Sequence, residues 1–117
     1  MSWLFYISLA AFFWGAHNVF IKFVSEDLPP ALTASIFYFI ALLTTATIYL
    51  FSSEKVELSQ LQDWKVIVAL LLAGVTIGLV DYLYVTGLSK GGSLTLSGPI
   101  FSTVGLVLIA AAGIVFF

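Results

Sequence analysis

Apolar residues fall into four long runs separated by short polar breaks, and each run is long enough to cross a bilayer as a helix. The runs cover residues 3–24, 31–51, 65–88 and 94–117. At a rise of 1.5 Å per residue the first is ~33 Å long, about the thickness of a hydrocarbon core. The first break, Ser25-Glu26-Asp27-Leu28-Pro29-Pro30, is expected to be a hard stop, since a proline pair cannot continue a helix. The longest polar stretch runs from Ser52 to Trp64, where Ser59-Gln60-Leu61-Gln62 has capping-box spacing and Trp64 suits a membrane interface. Ser89-Lys90-Gly91-Gly92-Ser93 separates the last two runs. Pro99 falls in the first turns of the fourth run, where a missing N–H is expected to do least harm. The pattern predicts an all-α membrane protein, a single domain over 1–117 with four transmembrane helices and both termini on one side.

Within the runs, the polar positions are few and placed. Asp81 is the one acidic residue that any run encloses. A carboxylate at the centre of a membrane helix costs roughly 2.5–3.5 kcal/mol on insertion scales, so a partner, a wet cavity or a task must offset it. In the first run Trp14, His17 and Asn18 stand at i, i+3 and i+4 and share a face. Tyr38 lies about two turns into the second run, Asp81 and His17 about two turns from the ends of theirs, and Ser102 about two turns into the fourth. With alternating helix direction, all four sit ~10–12 Å below one surface. Asn18, Tyr84 and Thr103 fall within a turn of that layer.

Two readings of the layer stand side by side. In one, Trp14, His17, Asn18, Tyr38, Asp81, Tyr84 and Ser102 form a substrate or proton site, with Asp81 exchanging a proton, His17 tuning it and Trp14 stacking on a ligand. In the other, a His17–Asp81 or Asp81–Tyr38 contact only fixes helix packing. Gly74 and Gly78, four apart, and Ala110-Ala111-Ala112-Gly113 offer close-approach faces. Thr44, Thr45 and Thr47 are expected to bond back to their own helix, and Lys22 to snorkel to the headgroups.

Composition narrows the field further. Of 117 residues, 62% are hydrophobic and 9% charged, with a mean hydropathy of +1.16; a soluble surface needs about a quarter charged. The net charge of −2 argues against a nucleic-acid partner. Without cysteine there is no disulfide and no thiolate metal or iron–sulfur site. A single histidine excludes a histidine-rich metal site. Neither HExxH, a carboxylate dyad, a phosphate loop nor a nucleophile elbow occurs, so no enzyme activity and no cofactor are expected. Met1-Ser2-Trp3 lacks a basic region, and no cleavable signal is expected. Lys22 and Lys90 flank one side, Lys55 and Lys65 the other, a tie under the positive-inside rule. Either the chain inserts both ways and forms antiparallel pairs, or charges elsewhere or a partner chain decide its orientation.

Trp14-Gly15, Phe20-Ile21-Lys22-Phe23, Leu28-Pro29-Pro30, Tyr84-Val85-Thr86-Gly87-Leu88 and Pro99-Ile100-Phe101 resemble the EamA-type unit of the drug/metabolite transporter superfamily. The run Ile100-Phe101-Ser102-Thr103-Val104-Gly105-Leu106-Val107-Leu108-Ile109 is similar to a helix of the small multidrug resistance branch. The resemblance implies a drug/metabolite transporter-like bundle. It would act as a homo-oligomer in the plasma (inner) membrane and move small organic metabolites or drugs by exchange or proton coupling. A site at the interface of repeats goes with that plan. Where the small multidrug exporters carry a glutamate in their first helix, this chain has Trp14, and Phe37 occupies the place of an early second-helix arginine. Asp81 has no counterpart in the pattern. The unit usually continues through a Gly-Glu into a fifth helix, so a chain ending at Phe117 reads as cut or completed from elsewhere. The alternative function is a non-transporting accessory or structural membrane subunit.

Overall fold

The computed structural model describes residues 2–53 and 56–116, and of Leu58 the backbone alone. Lys55, which enters the orientation count, and Phe117, the expected end of the fourth run, lie outside the described residues. The described residues form five helices and no strand: α1 (Trp3–Val24), α2 (Pro30–Phe51), α3 (Leu58–Leu61), α4 (Trp64–Ser89) and α5 (Leu94–Phe116). All but α3 are long and apolar enough to cross a membrane. The 26 residues of α4 span ~39 Å, more than a typical ~30 Å core, so its ends extend into the interface, with Trp64 exposed at one of them.

The helix ends are set by backbone hydrogen bonding. The first break stops α1 at Val24, as expected; there the Ser25 amide donates to the Ile21 carbonyl at 2.9 Å and its hydroxyl to the Lys22 carbonyl at 3.0 Å. The prolines open α2. Pro30 takes the first helical position, where its missing N–H would have no intrahelical partner anyway. Contrary to expectation, Ser59 does not cap α4, because residues 58–61 form the separate turn α3. The cap is Asp63: its side-chain oxygen accepts the Lys65 amide at 2.9 Å, and its carbonyl accepts the first helical bond, from Ile67, at 3.0 Å. Pro99 lies past the first turn of α5, so it removes a bond that Thr95 would otherwise have received.

The chain divides into two compact units. One comprises residues 1–27 and 87–117, the other residues 28–86. In the first, α1 packs on α5 through Trp14 and Phe101, whose rings stack 5.5 Å apart at 22°. Lys22 pairs with Glu26 at 2.7 Å, a carboxylate one turn on, and approaches the Leu88 carbonyl near the C-terminus of α4 at 3.5 Å. The Lys22 ammonium holds the exposed Glu26 carboxyl below its ordinary range.

Also in this unit, α4 closes in a Schellman turn. Gly92 donates to the Gly87 carbonyl at 3.1 Å and Gly91 to the Leu88 carbonyl at 3.2 Å, with Gly91 at φ +98°. By contrast the Gly74/Gly78 face meets no close neighbour: a Cβ at either position would find no atom within 4 Å. The same holds at Gly113.

In the second unit, Thr44, Thr45 and Thr47 donate to the carbonyls of Ile40, Ala41 and Leu43 at 2.9, 2.9 and 2.7 Å. In hydrocarbon this is the cheapest way to satisfy a lone hydroxyl.

Two sets of substitutions test these caps in detergent-solubilised protein by denaturant unfolding. Gly91→Ala is expected to cost about 1–2 kcal/mol through its left-handed backbone. Gly92→Ala should also destabilise, because its Cβ would sit 2.8 Å from the Gly87 carbonyl oxygen. Gly74→Ala, with open space around it, should be neutral or better. Asp63→Ala should cost about 0.5–2 kcal/mol, while Ser59→Ala leaves the midpoint unchanged.

Candidate functional site

The second unit brings two of the sequence-predicted residues together across helices. Near the start of α2, Thr33 and Ala34 are buried, and Tyr38 lies one turn beyond Ala34 on the same stripe. On α4, Ile77, Asp81 and Val85 repeat at i, i+4 and i+8, with Val85 fully buried and Asp81 half-buried. The Tyr38 hydroxyl donates to the Ile77 carbonyl at 2.8 Å and is hydrogen-bonded to Asp81 Oδ2. The acid of α4 thus meets a phenol of α2. Phe37 packs beside Tyr38 with ring centres 4.9 Å apart, flanking the phenol with a second aromatic ring.

Magnitudes say what this contact achieves. A hydrogen bond between membrane helices is worth about 0.6 kcal/mol on average and at most ~1.7. Placing a carboxylate at that depth costs roughly 2.5–3.5 kcal/mol. The Tyr38 bond alone therefore does not offset an ionised Asp81. The remainder is what water, a cation or a proton at the carboxylate would supply.

The other predicted residues are distributed as follows. Tyr84 lies three residues beyond Asp81 on α4 and is half-buried. Trp14, His17, Asn18 and Ser102 belong to the first unit. There Trp14 is stacked on Phe101, while His17 and Asn18 are half-buried one turn before the buried Ile21. The Ser102 hydroxyl donates back to the Gly98 carbonyl at 3.0 Å, so its proton serves its own helix. An open hollow of about 570 Å³ lined by Val56, Ser59, Gln60, Leu61, Asp63 and Val66 lies at the far end of α4 from Asp81. Its position near the helix start separates it from Asp81.

Two participants escape side-chain reasoning. The Ile77 carbonyl is a backbone group; the only hint of it is that residue i−4 shares the face of Asp81. Phe101 is one of 11 phenylalanines, and nothing in the pattern singles it out as the partner of Trp14.

No curated protein and no solved structure matches the chain. The EamA-like transporter family does, over residues 1–117. Four spans and a match over the whole sequence agree, and the chain belongs to the EamA-like transporter family of integral membrane proteins.

Proposed function

We propose that this protein moves a small organic metabolite or drug across the plasma membrane in exchange for, or together with, protons, and that Asp81 is the proton-carrying group. The observation that carries the reading is the Tyr38–Asp81 contact, an acid held by a phenol between two membrane helices. Its energy falls short of the cost of a permanent buried charge, which argues for an acid that changes its proton occupancy during work. Tyr84 is part of the same proposed lining on α4. On α1 and α5, Trp14, His17, Asn18 and Ser102 are the proposed substrate-contacting side chains, with Trp14 and Phe101 offering aromatic faces to a planar or cationic molecule. Action as a homo-oligomer belongs to this reading, since transporters of this plan commonly work as paired repeats.

A second reading draws on the same contact. A tyrosine clasped to an aspartate ties α2 to α4 whether or not anything is transported, as an accessory subunit would require. The two readings part on transport.

In proteoliposomes, a pH gradient is expected to drive substrate flux by the wild type. Asp81→Asn should abolish the gradient-dependent component while the protein still inserts and elutes as the wild type does. Full coupled flux in that variant would sink the proton-carrier reading. Absence of any flux from the wild type across a panel of organic cations and metabolites would favour the accessory role. Tyr38→Phe should cost about 0.6–1.7 kcal/mol in unfolding and reduce coupled flux less than Asp81→Asn does.

A further inference from the structure

The Tyr38 hydroxyl has one proton and two oxygens within reach, the Ile77 carbonyl at 2.8 Å and Asp81 Oδ2. A phenol cannot donate to both acceptors at once. If Asp81 is ionised, its oxygen takes the phenolic proton, and the Tyr38 oxygen then faces the Ile77 carbonyl with lone pair against lone pair. If Asp81 carries a proton on Oδ2, that proton is donated to the Tyr38 oxygen and the phenolic proton is free for Ile77. Only the neutral acid satisfies both close contacts.

We propose that the proton on Asp81 sets which way the Tyr38 hydroxyl points, so that Tyr38 is a positioning residue converting proton occupancy into a change of contact between α2 and α4. This rests on reading Asp81 as the proton carrier.

In the protonated state the bonds run as a chain: Asp81 O–H to the Tyr38 oxygen, then Tyr38 O–H to the Ile77 carbonyl. That carbonyl is the one the Asp81 amide meets within the α-helix, so its second lone pair is the one Tyr38 uses. Release sends the Oδ2 proton to water or to a basic substrate. Tyr38 then turns its own proton from Ile77 to the carboxylate, and two bonds between the helices become one. No other covalent bond changes.

The surroundings within residues 28–86 suit a local switch. Tyr38 is the titratable side chain that meets Asp81 from α2. On α4 itself Tyr82 and Tyr84 are nearest in sequence, while Asp63 and Lys65 lie at the opposite end, ~24 Å or more along the helix. Glu57 precedes that end, and Tyr49 lies three turns from Tyr38 along α2.

The chain has no cysteine, so a spin-label pair can be introduced cleanly, at the exposed positions Leu43→Cys and Val75→Cys. Label-to-label distances and infrared difference spectra are then recorded across a pH titration in liposomes. In the wild-type background the distance distribution should narrow on acidification, in step with growth of a protonated carboxyl band that Asp81→Asn removes. Asp81→Asn, whose amide donates to Tyr38 as the neutral acid would, should give the narrow distribution at every pH. Tyr38→Phe should keep the carboxyl band, shifted to higher wavenumber, and lose the pH response of the distance.

A wild-type pH response that persists in Tyr38→Phe overturns the proposal, as does a broad distribution in Asp81→Asn. A further check needs no variant: the infrared signature of ring-deuterated tyrosine must change over the same pH range as the carboxyl band, and separate titrations overturn the switch. Loss of coupled flux in Asp81→Asn with a pH-insensitive distance would remove the switch and leave the transport reading standing. Full coupled flux with a pH-sensitive clasp would do the reverse.

Discussion

An acid inside hydrocarbon is the constraint from which the rest of this structure follows. Water would solvate Asp81 without cost; a lipid-filled span does not, and the shortfall is several times the value of one interhelical hydrogen bond. The chain answers with a neighbour of a particular kind. Tyr38 brings a proton that can be given to a carboxylate and an oxygen that can accept one from a carboxylic acid. A lysine in its place would fix the charge, and a phenylalanine would offer neither group. A phenol can hydrogen-bond to a carboxylate as donor and to a carboxylic acid as acceptor.

The same scarcity of partners governs the helix ends. At Ser25, Asp63 and the Gly91-Gly92 turn, backbone groups that would otherwise be orphaned are taken up by the nearest polar atom, usually from the same few residues. Lys22 does this over the longest sequence separation. It stands at the end of α1, neutralises Glu26 one turn on, and directs its ammonium toward the Leu88 carbonyl at the closing end of α4. Local closure lets the connections stay short without leaving polar groups in lipid.

Packing contributes in a different currency from that of a soluble protein. Among the described apolar side chains only Ile21, Ala34, Val85 and Leu88 are buried. Lipid tails solvate the remainder as well as another leucine would, so apolar burial gives these helices little reason to associate. Specific contacts take over that role: an aromatic stack between α1 and α5 and a phenol–acid bond between α2 and α4.

Much of this was readable without coordinates. Hydropathy and length fixed the four spans, because the bilayer imposes one thickness on every crossing and leaves only helices able to satisfy their own backbone. The cost of burying a charge pointed to Asp81, and counting turns brought Tyr38 to its depth. What the sequence could not supply was orientation about each helix axis. Depth follows from one-dimensional counting, but facing depends on how helices pack, and that decided that Tyr38 meets both Asp81 and a backbone carbonyl. It also paired Trp14 with one phenylalanine among eleven, and left the Gly74/Gly78 stripe without a close neighbour. The cap of α4 was hidden for a related reason: Ser59 and Asp63 both have the chemistry to start α4, and only the path of the chain through α3 selects the second.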